Sequence, residues 1–303
     1  MTEPSPPAAG GEVYLGTSGW KYRHWRGAFY PAGLVQRREL EFAAGVFGSL
    51  EINASFYALQ TPDTYARWAS QTPPGFVFAV KGGRFVTHMK KLRDVREPLA
   101  NFFASGLLRL EGRLGPILWQ LPEQLRFDPA VLGDFLALLP GSSGEAARLA
   151  ESHGARLNGR AWTRTGHDRP LRYALEVRHP SFVTPELPRL LRHHGVALVV
   201  ADAAGQFPLI EEVTADFVYV RLHGSRELYR SGYDPMEIQD WASRVWAWRA
   251  GSEPPGARRL GDDSLPPCPR DVYLYFDNDI GAHAPVDAQA LSTALGLAAR
   301  PAR

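Results

Sequence analysis

Short apolar runs rich in β-branched and aromatic residues alternate along the chain with longer segments whose apolar residues recur at helical spacing. Such alternation is typical of βα units that place their strands in one parallel sheet. The apolar runs predict eight strands, at residues 13–19, 50–56, 76–81, 116–121, 173–178, 196–202, 217–223 and 271–277. Segments of helical spacing lie between most of them, at residues 39–47, 64–70, 98–110, 130–139, 186–193, 235–249 and 288–298.

Several stretches interrupt this rhythm. A long loop follows the first strand, and residues 141–168 form an insertion before the fifth strand that holds a short helix at 145–152. The segment after Asp202 is short, and we expect no full helix in it. Residues 251–270 are rich in proline and glycine and predict a loop.

Eight strands separated by helices predict a single-domain (β/α)8 barrel of the TIM type. The chain has 303 residues, and such barrels need roughly 250. The rival architecture, a doubly wound open sheet, has fewer strands and a glycine-rich phosphate turn after the first one. The segment Gly16–Gly19 lacks the third glycine and the directly following helix of that turn. We therefore expect a barrel domain over residues 12–303, after a disordered leader at 1–11.

Composition narrows the class of protein without naming a ligand. Hydrophobic residues make up 45% of the chain and charged residues 22%, as in ordinary globular proteins. A formal net charge of +2 is too small to indicate nucleic acid by itself. The lone cysteine, Cys268, excludes an intrachain disulfide and a cysteine zinc site. No signal peptide and no apolar stretch of membrane-spanning length is present, so we expect a cytoplasmic protein that does not bind membranes.

Polar side chains stand at the carboxyl ends of the predicted strands, where barrels of this type build their active sites. Residues two apart share a face of a strand. We therefore read Val77 and Ala79 as the interior row beneath Lys81, and Leu198 and Val200 as the row beneath Asp202. The candidate catalytic residues are Lys81, Glu176, Asp202 and His223, and the strand-end candidates for substrate binding are Asn53, Gln120, Arg178, Arg221 and Asp277. The alternative is a structural ring in which Glu176 and Asp202 pair with Arg178 and Arg221.

Basic and aromatic residues crowd the loops on the same face, after the first, third and seventh strands. Such clustering favours an anionic ligand, since arginine suits phosphate and carboxylate and aromatic rings offer flat surfaces to a sugar or base. We expect some of these rings to pack beneath the long loop instead. The further candidates for substrate binding are Ser18, Trp20, Tyr22, Trp25, Phe56, Tyr57, His88, His179 and Asn278.

Three chemistries are compatible with these residues. Lys81 could form a Schiff base, although an ion pair with Glu51 or Glu176 is the expected state of such a lysine. A histidine, His223 ahead of His179, could act as general acid or base beside a carboxylate. A divalent metal is possible but not required, since no HExxH or His-x-His spacing is present. If a metal is bound, its ligands would be Glu176, Asp202 and His223.

The working hypothesis is an enzyme, a hydrolase, lyase or isomerase, that acts by acid–base chemistry on a small phosphorylated or carboxylated substrate. Arg178, Arg221 and Lys81 would bind the substrate's charge, and His223 would carry the proton. In a second hypothesis the loops at 20–26 and 84–93 bind nucleic acid or support phosphodiester cleavage, with or without a metal. A third is a ligand-binding protein without catalysis. The oligomeric state stays open.

The strand-end motifs also resemble those of the YecE-like proteins, catalogued as domain of unknown function family 72. The resemblance extends from Val13 to about Leu295. It rests on these segments: Gly16–Trp20 with Trp25 and Phe29–Pro31; Glu51–Asn53 with Ser55–Tyr57; Lys81 with Thr87 and His88; Gly115 and Pro116 with Gln120–Pro122; Glu176–His179 with Ser181 and Phe182; Arg221–Gly224; and Tyr275 and Phe276 with Asn278 and Asp279. The chain departs from the family pattern at Asp287, where an asparagine is usual. The resemblance implies a barrel fold and no established activity.

Overall fold

A computed structural model of the protein describes residues 10–261 and 263–297. Its eight strands are β1 Val13–Thr17, β2 Ser49–Ile52, β3 Val77–Lys81, β4 Leu114–Gln120, β5 Tyr173–Glu176, β6 Ala197–Asp202, β7 Phe217–Leu222 and β8 Asp271–Phe276. All neighbouring strands are parallel, in the order β1-β8-β7-β6-β5-β4-β3-β2. The predicted (β/α)8 barrel is confirmed.

The barrel closes between β1 and β2. The Gly19 amide donates to the Glu51 carbonyl at 2.9 Å, and Ser18 and Glu51 form a parallel bridge. Lower down, Gly16 lies so close to β2 that a Cβ atom on it would stand 1.8 Å from the Ser49 carbonyl oxygen. A side chain cannot occupy that space, so glycine at this position permits the first and second strands to meet.

Nine α-helices lie in the described part of the chain. They are α1 Glu39–Val46, α2 Ala54–Tyr57, α3 Pro62–Ser70, α4 Arg96–Ala104, α5 Pro129–Ala137, α6 Ser143–Ala150, α7 Glu186–His194, α8 Pro235–Arg249 and α9 His283–Ala294. Several begin where the sequence supplies a capping side chain followed by proline. Asp234 caps α8 in a reciprocal capping box with Glu237, and Asp128 caps α5. None of these helices is both long and apolar enough to cross a bilayer.

Several predicted boundaries were wrong. The strand predicted through Phe56 ends at Ile52, because the chain turns into α2 and the Ser55 hydroxyl donates to the carbonyls of Ile52 and Lys81. The helix predicted at 98–110 breaks at Gly106, whose φ of 106° cannot continue a helix.

The two ends of the predicted domain fall partly outside the described residues. Of the predicted leader, residues 1–9 lie outside them, while Gly11 is tied by backbone to Arg249. The predicted end of the last helix, Ala298, also lies outside, and α9 ends at Ala294.

Buried apolar side chains form two clusters that separate the inside of the barrel from its outer layer. The inner cluster holds small residues and tyrosines, among them Ala79, Leu118, Ala174, Val199, Ala201, Tyr219 and Tyr275. The outer cluster lies between sheet and helices and includes Leu198 and Val200. Because side chains alternate faces, the inner cluster identifies which strand-end residues point into the barrel mouth.

Candidate functional site

Arg221 is the centre of the polar cluster at the barrel mouth. Its side chain is fully buried and follows the interior position of Tyr219 on β7. Its guanidinium donates to Glu176 at 2.6 Å, to Glu51 at 2.9 and 3.1 Å and to Asp277 at 3.0 Å. One arginine thus joins carboxylates from three different strand ends. Through these hydrogen bonds Arg221 holds the network together. Because no part of its side chain is exposed, Arg221 is not available to bind a substrate directly.

Glu51 accepts hydrogen bonds from several members of the cluster, whereas Asn53, two residues later, is not hydrogen-bonded to Arg221. Its carboxylate accepts from the hydroxyls of Ser18 at 2.5 Å and Tyr219 at 2.7 Å, besides the two bonds from Arg221. Asn53 contributes indirectly, by donating to the Ser18 hydroxyl at 2.8 Å. The sequence interpretation named Glu51 as a possible partner of Lys81 but omitted it, and Tyr219, from the candidate site. The parity that identified Arg221 also identifies Tyr219 two residues earlier.

Glu176 is the second shared acceptor. Gln120 donates to it at 3.0 Å and Arg178 at 2.9 Å, in addition to Arg221. Burial opposes its ionisation, but the charges of Arg221 and Arg178 outweigh that effect and hold the pKa of Glu176 well below its usual range. Gln120 and Arg178 therefore lie in the cluster, as predicted from their positions at the carboxyl ends of their strands.

His223 and Asp277 form a dyad beside Arg221. Burial opposes ionisation of Asp277, yet Arg221 and His223 together hold the pKa of this carboxyl well below its ordinary value. An ionised Asp277 accepts from His223 Nδ1 at 3.0 Å, so the Nδ1 atom carries the hydrogen. The other ring nitrogen, Nε2, is buried without a hydrogen-bond partner among the described residues and lies 3.9 Å from Glu176.

Lys81 lacks the carboxylate partner that was predicted for it. We expected an ion pair with Glu51 or Glu176, but Lys81 makes no ion pair or hydrogen bond through Nζ with any described residue. Its nitrogen lies 4.4 Å from the centre of the Phe56 ring, and the residue is only 8% exposed. Burial, with a contribution from the charge of Arg221, lowers the pKa of Lys81 to about 8. Lys81 lacks an ion pair because Arg221 and Arg178 already bind the carboxylates with which it was expected to pair.

The rim of the mouth is formed by Arg178, His88 and Tyr229. Arg178 Nη2 donates to the Tyr229 hydroxyl at 3.1 Å, and its guanidinium lies 4.4 Å from the ring of Phe207. Its Nη1 atom hydrogen-bonds to no described residue, and the side chain is 12% exposed. Tyr229 has a φ of 64°, a left-handed conformation that costs a tyrosine about 1–3 kcal/mol and is often found at functional sites. Tyr229 and Phe207 were not among the predicted site residues, and no local pattern distinguishes them.

His88 faces the same opening from a π-helix at Phe85–Met89 that follows β3. Its ring lies against the Phe56 ring at 5.0 Å, and Nδ1 hydrogen-bonds with the Thr87 hydroxyl at 2.8 Å. Burial, followed by the charges of Lys81 and Arg178, lowers the pKa of His88 to about 4. At neutral pH this histidine is therefore uncharged, and its Nε2 hydrogen-bonds to no described residue.

Asp202 does not belong to the mouth, because the row that it shares with Leu198 and Val200 faces outward and not into the barrel as predicted. The interior positions of β6 are Val199 and Ala201, so Asp202 shares the outward face with Leu198 and Val200. Its carboxylate accepts from Tyr233 at 3.1 Å instead of pairing with an arginine. Accordingly, the ring predicted from Glu176, Asp202, Arg178 and Arg221 exists without Asp202.

The predicted metal ligands do not converge. Within residues 10–261 and 263–297, no group of three or more histidine, cysteine, aspartate or glutamate side chains is arranged to hold a metal ion. Glu176 and His223 lie near each other, but Asp202, the third predicted ligand, lies on the other face of its strand.

Most aromatic residues of the first loop pack inward. Trp20 is 5% exposed and packs against Trp68, and Trp25 is fully buried with its indole nitrogen donating to the Asp279 carbonyl. Tyr22 is half-buried and donates to the Ser18 carbonyl at 2.6 Å. These contacts fold the loop down onto the barrel, so its rings offer little flat surface to a ligand.

Three other predicted contacts lie away from the cluster. His179 caps a short 3₁₀ turn, accepting at Nδ1 from the Ser181 amide. Asn278 is fully buried and ties the Ser231 carbonyl to Asp287. Asp287, which stands where the family pattern has asparagine, thus acts as a structural acceptor. Tyr57 is 70% exposed at the edge of an apolar groove.

That groove, of about 420 Å³, adjoins the mouth at Phe56. Its apolar lining includes Phe85, Met89 and Phe102. Phe56 therefore separates the groove from the amine of Lys81, which its ring contacts.

Comparison with known sequences identifies a family whose function is unknown. The family described as protein of unknown function DUF72 matches residues 14–303. The UPF0759 protein YecE of Escherichia coli strain K12 is 28% identical over 198 residues, which span 63% of this chain and 59% of YecE. The UPF0759 protein YunF of Bacillus subtilis is 27% identical over 115 residues, 36% of this chain and 40% of YunF. Both matches cover less than two thirds of these relatives.

Solved structures match over almost the whole chain. A DUF72 family protein of Thermotoga maritima, TM1631, superposes with a TM-score of 0.70 and 25% identity, covering 94% of this chain and 99% of that one. A DUF72 family protein of Enterococcus faecalis, EF0366, superposes with a TM-score of 0.67 and 16% identity, covering 94% of this chain and 96% of that one. The second likeness supports the fold alone.

Proposed function

The chain belongs to the DUF72 family, whose activity is undefined, and from the chemistry of the barrel mouth we propose that it is an enzyme that binds a small anionic substrate and transfers a proton through Lys81. The substrate carries a phosphate or carboxylate. The observation that carries the proposal is a buried amine without a carboxylate partner, at a strand end where barrel enzymes build their active sites.

The other charged groups of the cluster are already paired. Arg221 joins Glu51, Glu176 and Asp277, and Arg178 is bonded to Glu176. An unpaired ammonium group out of water is unfavourable, and an incoming anion would relieve that cost. The free Nη1 of Arg178 offers a second donor at the rim. We therefore assign the substrate's negative charge to Lys81 and Arg178.

Lys81, not His223, is the better proton carrier. His223 is fully buried, and the Tyr229 ring lies over it at 5.5 Å. We assign His223 to positioning Asp277. A general acid or base works best when its pKa lies near the operating pH, and the pKa of Lys81 is about 8. Neutral His88, which contacts the same Phe56 ring, provides a second proton acceptor.

Calorimetric titration with inorganic phosphate and with small carboxylates tests the anion site. We expect Lys81→Met and Arg178→Met to weaken binding by about tenfold or more, one charge-assisted hydrogen bond each. Binding to the wild type should weaken as the pH rises through about 8, because Lys81 then loses its charge. Lys91→Met, the same change at an exposed position, and Asp202→Asn should leave binding unchanged.

Catalysis is tested separately, by following exchange of carbon-bound protons in D₂O by NMR with a panel of phosphorylated and carboxylated compounds. Anion binding that survives Lys81→Met would overturn the assignment of the site. Binding without any turnover would support the alternative of a ligand-binding protein. Tighter binding of oligonucleotides, insensitive to Lys81→Met, would favour the nucleic-acid alternative.

A further inference from the structure

We infer that Lys81 is a covalent nucleophile that forms an imine with a small aldehyde or ketone bearing a phosphate or carboxylate. This inference rests on the proposed function, because Arg178 of the proposed anion site would hold the charged end of the carbonyl compound while Lys81 reacts with its carbonyl carbon. It goes further in naming the functional group that reacts and the bond that forms.

The first support is the position of the amine. Lys81 ends β3, and the Ser55 hydroxyl fixes its backbone by donating to its carbonyl at 2.7 Å. The nitrogen lies 4.4 Å from the Phe56 ring and has no acceptor among the described residues. An amine needs an unshared electron pair to attack a carbonyl carbon, and desolvation beside another cation favours the neutral form. With a pKa of about 8, Lys81 holds roughly three hundredfold more neutral amine at pH 7 than an ordinary lysine.

The second support is the set of charges around the nitrogen. An iminium ion keeps a positive charge on nitrogen after the attack, so it needs fixed negative charge nearby. Asp277, Glu51 and Glu176 all act on Lys81 in the direction that favours a cation. Arg221 holds these carboxylates in place through direct hydrogen bonds. They therefore need no rearrangement when the iminium forms.

The reaction balances with groups present at the mouth. The Lys81 nitrogen attacks the carbonyl carbon, forming a C–N bond while the carbonyl π electrons move to oxygen, which takes up a proton. The resulting hemiaminal loses its hydroxyl group as water after protonation, and the nitrogen electron pair forms the C=N bond. No oxidant or reductant is required, and hydrolysis returns the free amine.

His88 is placed to move the protons of these steps. It contacts the same Phe56 ring as Lys81, and its Nε2 is free of described partners. Because it is uncharged at neutral pH, it can accept the proton that nitrogen loses and return it to the departing hydroxyl. Arg178 Nη1 would meanwhile bind the substrate's phosphate or carboxylate.

Reductive trapping tests the inference directly. The full chain is incubated with pyruvate or with dihydroxyacetone phosphate, reduced with sodium borohydride, and mapped by peptide mass spectrometry. The chain has only four lysines, Lys21, Lys81, Lys90 and Lys91, so the labelled position is identified without ambiguity. We expect labelling of Lys81 to exceed that of the other three by about tenfold or more, since Lys81 is buried whereas Lys21 and Lys91 are exposed and Lys90 is partly exposed. The two probes separate carboxylate from phosphate substrates.

Matched variants complete the test. Lys81→Arg keeps the positive charge but cannot form an imine, and should lose the adduct, whereas Lys90→Arg should keep it. Equal labelling of all four lysines, or none, would overturn the inference even if a variant fails to fold, because the wild type alone decides it. If phosphate binding depends on Lys81 while no adduct forms, the imine is wrong and the proposed function stands. Failure of both measurements rejects both.

Discussion

The two ends of the barrel each hold an arginine joined to carboxylates, but the two clusters differ in how far they are exposed to water. At the amino-terminal end, Arg172 bonds to Asp271 at 2.6 Å and to Asp216 at 3.1 Å. The side chains of Arg172, Asp271 and Asp216 are 32%, 25% and 71% exposed, so water solvates part of each charge. At the mouth, Arg221 and its partners Glu51 and Glu176 are fully buried, so the charge of the arginine and the charges of the two carboxylates stabilise each other without water.

This difference separates a stabilising ion cluster from a candidate reaction site. Where water is present, an additional charge is screened and changes little. Where water is excluded, burial and neighbouring charges both act strongly on a titratable group, and burial, with a contribution from the charge of Arg221, lowers the pKa of Lys81. The amino-terminal end of such barrels serves stability and the carboxyl-terminal end chemistry, and the burial of the two clusters follows that division.

The largest effect is expected from Arg221→Met. Removing the guanidinium leaves Glu51, Glu176 and Asp277 buried without their common partner. Loss of one member of a buried ion pair costs about 3–5 kcal/mol, so the free energy of unfolding should fall by at least that amount. Denaturant unfolding followed by circular dichroism measures it. Arg221→Lys, which keeps the charge but not the planar donor array, should lose an intermediate amount. A loss near that of an exposed arginine would contradict the comparison.

Lys81→Met should change how stability depends on pH. The pKa of Lys81 is about 8 in the folded protein and 10.5 ordinarily. Between these values the unfolded chain binds more protons than the folded one, so the contribution of Lys81 becomes more favourable as the pH rises. The free energy of unfolding of the wild type relative to Lys81→Met should therefore increase from pH 8 and level off near 10.5. Parallel stability curves for the two proteins would mean that the amine is not desolvated.

The smallest effect is expected from Arg172→Met, the counterpart of the first change at the opposite end. Its partners are solvated, and exposed ion pairs contribute about 1 kcal/mol or less. Its packing over the Phe217 ring, at 5.2 Å, is partly kept by methionine. Urea unfolding should show a loss within that range, weakened further by salt, and binding of phosphate at the mouth should not change. A loss as large as that of Arg221→Met would remove the distinction between the two ends.

Much of the site was predictable because strand alternation is a local property. Lys81 follows Ala79, Glu176 follows Ala174 and Arg221 follows Tyr219 on the interior rows, and the structure keeps these parities. On β6 both rows beneath the strand end are apolar, Leu198 and Val200 on one face and Val199 and Ala201 on the other. Alternation alone therefore could not decide the face of Asp202.

The sequence by itself determined the barrel, through the number and spacing of its apolar runs, and determined most of the polar side chains that meet at its mouth. Only the tertiary structure decided which basic group of the mouth would be left without a carboxylate partner. Pairing depends on the distances between strands and on the exclusion of water, and neither is encoded in a local pattern. Arg221 and Arg178 pair with the carboxylates, which leaves the Lys81 amine beside Phe56 as the unpaired group of the mouth.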